Sequence, residues 1–141
     1  MFIAFIVNSM VVVIAVLIHY EFLYRLTNLL PKLKIKHRFR IVSGVFLALI
    51  AHALEVWVFA IAYYQMSRTD GWGHFEGNFT GTLLDCAYFS FTTYTTLGFG
   101  DISPFGTLRF LTGIESLTGL VLITWTASFL YIEMQRYWIS R

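Results

Sequence analysis

Three long apolar stretches, residues 1–24, 41–66 and 108–134, dominate this chain and limit what it can become. At ~1.5 Å per residue, about 20 apolar residues cross the ~30 Å hydrocarbon core of a bilayer as a helix. Helices suit that setting because each satisfies its own backbone N–H and C=O groups. The sequence therefore predicts an all-α membrane protein. Composition agrees: 57% of the 141 residues are apolar or aromatic and 13% are charged, against ~25% charged in a typical soluble domain. Three spans and short connections leave no room here for a large soluble catalytic, nucleotide-binding or DNA-binding domain, and no nucleic-acid partner is expected. The one cysteine, Cys86, excludes disulfide scaffolds and cysteine-based zinc sites and reads as a small buried filler. A signal peptide is the competing reading of residues 1–24. No basic segment precedes the apolar run and no small-residue cleavage site follows it, so a membrane helix is preferred.

Charge placement sets the expected topology. Six of the ten Lys/Arg residues, Arg25, Lys32, Lys34, Lys36, Arg38 and Arg40, lie in one acid-free segment, read as a basic cytoplasmic loop over 25–40. The positive-inside rule then puts the N-terminus outside, the Gly-rich connection 67–81 outside as a solvated loop, and Arg136 and Arg141 inside at the C-terminal end. Lys32, Lys34, Lys36, Arg38 and Arg40 recur every second residue, not every third as on a voltage-sensing helix. They are expected to bind anionic lipid headgroups. Asn78-Phe79-Thr80 fits a glycosylation sequon and is read as a loop coincidence.

Residues 82–107 are too few to cross and return as two full helices, yet they begin with an aromatic, apolar run. They are expected to be re-entrant: a helix over 82–94, ~20 Å long, followed by a climbing strand over 95–101. That strand reads Thr95-Thr96-Leu97-Gly98-Phe99-Gly100-Asp101. A cation in a bilayer needs replacements for its water oxygens. Successive carbonyls can all face one axis if neighbouring residues alternate in handedness, which Gly98 and Gly100 allow at little steric cost. Thr96 adds a hydroxyl at the inner end, Leu97 and Phe99 point away as packing struts, and Asp101 sits at the outer mouth, attracting cations or tying the strand to its neighbours.

The segment resembles the potassium-channel signature TVGYGD, with Thr96, Gly98, Gly100 and Asp101 identical, Leu97 for Val and Phe99 for Tyr. Chance would produce Thr-x-Gly-aromatic-Gly-Asp in a chain this long on the order of 10⁻⁴ of the time. The resemblance runs from Ile41 to Trp138, includes Tyr88-Phe89-Ser90, and is to small bacterial pore-domain channels. It implies the pore-domain potassium-channel fold, with an outer helix over 41–66, pore helix 82–94, selectivity filter 95–101 and inner helix 108–134. The helix over 1–24 is additional to that pattern. It also implies a homotetramer in a bacterial inner membrane, conducting potassium passively and without an organic cofactor. Potassium ions would be held at Thr96, Leu97, Gly98, Phe99 and Gly100. Glu115 and Gly119 resemble the acidic position and glycine of the inner helix. Gly119 reads equally as a gating hinge or a close-packing point, and Ile123 and Ala127 are expected to face the cavity. Phe99 stands where the family has a tyrosine whose hydroxyl can hydrogen-bond behind the filter; related filters with phenylalanine there still conduct potassium.

Glu55 and Glu115 fall inside spans, ~13 Å and ~11 Å below the outer ends, where a lipid-facing acid costs about 2.5–3.5 kcal/mol. Both should face protein. His52 precedes Glu55 by three residues and shares its helix face. The expected arrangement is one buried network behind the filter, joining His52, Glu55 and Glu115 to pore-helix hydroxyls such as Thr92 or Thr93, with Thr95 nearby. The alternatives are a weakly selective monovalent or calcium-permeable channel, a non-conducting accessory subunit, and a small intramembrane enzyme using His52 with the carboxylates. Against a metal site or an acid–base pair of such an enzyme, built on His52 with the two carboxylates, no second histidine lies at ligand spacing on that helix and no activated Ser or Cys accompanies the group.

Overall fold

A computed structural model describes residues 2–32 and 36–138, with backbone alone for Phe2, His37, Tyr137 and Trp138. Helix α1 (Phe2–Leu29) leads through a short 3-10 turn (Leu30–Lys32) to α2 (His37–Met66). Strand β1 (Phe75–Gly77), helix α3 (Leu83–Tyr94) and strand β2 (Ile102–Pro104) follow, and α4 (Leu108–Trp138) closes the described chain. Segments Ile3–Lys32, Arg38–Met66 and Leu108–Arg136 are each long and apolar enough to cross a membrane.

The helices overrun the apolar stretches, which corrects the expected loop over 25–40. Helix α1 continues past residue 24 because its hydrogen-bond ladder does not need apolar side chains, and Glu21 accepts from Arg25 one turn on at 2.6 Å. It stops where Pro31 lacks an N–H and crowds the preceding turn. Helix α2 starts at His37, so Arg38 and Arg40 belong to its first turn. Lys34 and Arg141 lie outside the described residues.

Helix α1 buries one face: Asn8, Val11, Ala15, His19, Leu23, Leu26 and Leu30 are spaced by three or four residues, as one stripe of a 3.6-residue helix requires. Its other face exposes Ile3, Phe5, Met10, Val13 and Leu17, the surface a helix presents to lipid tails. Helix α3 packs between α2 and α4 around Phe59, Tyr63, Phe89, Leu108 and Leu111, and Cys86 is buried there as expected.

The connection 67–81 is more ordered than a solvated loop. Strand β1 pairs antiparallel with β2, Phe75 opposite Pro104 and Gly77 opposite Ile102. A Cβ at Gly77 would overlap the Asp101 carbonyl, so only glycine admits this approach. Phe75 stacks edge-on against Tyr63 and Phe89, with ring centroids 5.7 and 4.9 Å apart. Aromatic burial pulls the two-stranded ribbon onto α2 and α3.

Candidate ion pathway and its supports

Helix α3 begins with a reciprocal cap. The Thr82 hydroxyl accepts the Asp85 N–H at 3.1 Å, and Asp85 accepts the Thr82 N–H at 3.2 Å. The Thr80 hydroxyl, at 2.6 Å, and the backbone N–H groups of Thr80 and Thr82 hold the Asp85 carboxyl down at about 2. At the other end, the Thr92 and Thr95 hydroxyls donate to the carbonyls of Phe89 and Phe91. Helix α4 braces this end: the Ser116 hydroxyl donates to the Thr93 carbonyl at 3.2 Å. A Cβ at Gly119 would overlap the Tyr94 carbonyl, so close packing is the observed use of that glycine.

The strand after α3 alternates in handedness. Thr96, Gly98 and Gly100 have φ of 58°, 52° and 78°, while Leu97 and Phe99 between them are not in the positive region. The glycines adopt this freely. Thr96 is β-branched and does not, a conformation costing on the order of 1–3 kcal/mol. Bonds on both sides hold it there: the Thr96 N–H donates to the Thr93 carbonyl at 2.9 Å and the Gly98 N–H to the Thr92 carbonyl at 3.0 Å. The strain at Thr96 has no signature in composition, because threonine is not a left-handed residue by preference.

The mouth is fixed by Asp101. Its Oδ2 accepts the Tyr88 hydroxyl at 2.9 Å, and its carbonyl accepts the Asn78 N–H at 2.8 Å. Of its two expected roles, the structure displays tying. Phe99 stacks on Tyr88 with centroids 6.4 Å apart and planes 6° apart. Within one chain, however, Leu97 and Phe99 are 60% and 64% exposed, so this chain alone does not bury the two struts. Ile123 and Ala127 are exposed together on one face of α4.

The expected single network is instead two. Glu115 is fully buried and accepts the Tyr63 and Ser90 hydroxyls, each at 2.5 Å. Glu55, also fully buried, accepts the Tyr94 hydroxyl; His19 Nδ1 lies 2.9 Å from Oε1 and His52 Nδ1 3.0 Å from Oε2. Among the described residues no hydrogen bond joins the two clusters. The pore-helix hydroxyls involved are those of Ser90 and Tyr94, since Thr92 is turned back on its own helix. The second histidine that α2 lacks comes from α1: His19 is buried, 5.4 Å from His52 between ring centroids. Sequence reasoning missed it, although its four-residue spacing from Val11 and Ala15 on one helix face was a usable signal.

A re-entrant helix and climbing strand held between two membrane helices define a pore domain. A family model described as "Ion channel" matches residues 51–136, more than half of the chain, and the protein belongs to that family. No curated protein and no solved structure matches it. It is an integral membrane protein of mostly helical fold with three candidate spans, and α1 lies outside the family match.

Proposed function

We propose that this protein conducts potassium passively and selectively through a homotetrameric pore. The observation that carries the reading is the alternation at Thr96, Gly98 and Gly100, the backbone form that turns successive carbonyls toward one axis. Potassium, as the transported ion, would be coordinated by carbonyls of Thr96, Leu97, Gly98, Phe99 and Gly100, with the Thr96 hydroxyl at the inner end. Four strands are needed to surround an ion, and cyclic symmetry supplies them. Leu97 and Phe99, open to one side within a single chain, supply the apolar surface that a neighbouring subunit would cover. Ile123 and Ala127 would then line the inner vestibule, with Gly119 packing α4 against the end of the pore helix.

Lys32, Lys36, Arg38 and Arg40, with Lys34, would face cytoplasmic anionic headgroups. The N-terminus would be outside and the C-terminal end of α4 inside, in a bacterial inner membrane. One observation favours a weakly selective cation channel as the second reading: Phe99 brings no hydroxyl to brace the filter from behind.

Flux from proteoliposomes holding only this protein tests both. Potassium flux far above sodium flux, abolished by Gly98→Ala, is the expected result. Comparable flux of both ions would select the second reading, and no flux from folded tetramers would overturn conduction.

A further inference from the structure

The cluster around Glu55 is not satisfied by its own hydrogen bonds. A neutral His19 donating Nδ1–H to Glu55 keeps a buried Nε2 with no partner; a protonated His19 keeps a buried Nε2–H with none. In the neutral case the carboxylate also lacks a compensating cation, because Tyr94 and a neutral His52 are uncharged donors. In the neutral case a buried carboxylate therefore stands against two imidazole nitrogens with no cation among them.

The ligand atoms of His19, His52 and Glu55 lie within 4.8 Å of one another. Ligand atoms around a tetrahedral zinc stand about 3.4 Å apart, given bonds of ~2.0–2.1 Å. The His–Glu separations of 2.9 and 3.0 Å, one to each carboxylate oxygen, would open by about half an ångström, and the remaining separation, within 4.8 Å, would close toward the same value. Two imidazole nitrogens and one carboxylate suit Zn²⁺, Co²⁺ or Ni²⁺ better than Ca²⁺ or Mg²⁺, which prefer oxygen alone. His52 carries the outer hydrogen bond that orients a ligating imidazole: its Nε2 lies 3.0 Å from the Thr126 hydroxyl. The Tyr94 hydroxyl already touches both Glu55 and His52.

We propose that His19, His52 and Glu55 form an intramembrane site for one transition-metal cation of the zinc class, joining the N-terminal helix to the residue that ends the pore helix. Binding stands apart from the conduction reading; an effect of the metal on flux rests on it.

The test is a Co²⁺ titration of the metal-stripped, full-length protein, read by visible d–d absorption and followed by Zn²⁺ competition. One Co²⁺ per chain in a four-coordinate environment, displaced by Zn²⁺, is expected. His19→Gln and His52→Gln should each weaken binding by at least about 100-fold, and Thr126→Val by about 10-fold. Absence of saturable Co²⁺ binding by the wild type would overturn the site. So would unchanged affinity in folded His19→Gln or, where the histidine variants do not fold, in Thr126→Val. In proteoliposomes, Zn²⁺ followed by a chelator should change potassium flux reversibly. Metal bound without any flux would retire conduction and leave the site standing; flux with no metal bound would retire the site alone.

Discussion

Glu55 and Glu115 are both fully buried carboxylates facing the same pore helix, but their surroundings differ in kind. Glu115 meets two hydroxyls, each with a second acceptor within reach: the Val56 carbonyl lies 2.9 Å from Ser90 and the Thr112 hydroxyl 3.4 Å from Tyr63. Glu55 meets two imidazoles and a phenol drawn from three helices, α1, α2 and α3. Hydroxyls donate, accept and rotate, so the Glu115 cluster can rearrange. The Glu55 cluster has a shape that only a carboxylate or a cation–carboxylate pair completes. One is a brace within the pore domain, the other a joint between the pore domain and an added helix.

The largest expected effect tests that difference. Glu55→Ala leaves His19, His52 and Tyr94 facing a void and should destabilise the protein by about 3–5 kcal/mol, because three buried donors lose their acceptor at once. Glu115→Ala should cost about 1–3 kcal/mol, because Ser90 and Tyr63 keep their second acceptors. Thermal unfolding in detergent measures both, and equal losses would erase the distinction. A cycle sharpens it: His19→Ala added to Glu55→Ala should cost less than His19→Ala alone.

Gly119→Ala comes next. Its new methyl would meet the Tyr94 carbonyl at the end of the pore helix, and overpacking of this kind costs about 1–3 kcal/mol. A lowered unfolding temperature with reduced flux is expected; unchanged flux and melting would dissolve the proposed contact between α4 and the filter base. Tyr88→Phe removes the bond to Asp101 and should shorten the lifetime of the conducting state with little change in melting.

The smallest effect is at the outer cap of α3. Asp85 is held at about 2, below the ~3.9 of an unfolded aspartate, so its contribution is present above pH ~4 and is lost as pH falls through about 2. Melting temperature should decline slightly over that window, and Thr80→Ala should flatten the decline.

Much of this arrangement was legible in the sequence. Apolar length located the three spans, and the spacing of Gly98 and Gly100 revealed the handedness of the filter strand before any geometry was known. What escaped was tertiary. Thr96 takes a conformation that its own preferences oppose, imposed by hydrogen bonds to Thr92 and Thr93. Glu55 and Glu115 share a depth, which suggested one network, but depth does not tell which side of α3 a residue faces. His19 escaped the expected network because its partners lie 33 and 36 positions away, on another helix. The helix ends were misjudged because backbone hydrogen bonding continues past the apolar run until Pro31 stops it.

Whether this chain makes a potassium-selective pore is decided by the reversal potential of the purified protein in a planar bilayer with opposed potassium and sodium gradients. A reversal potential close to the potassium equilibrium value is predicted. A value near zero, with current carried equally by both ions, would contradict it.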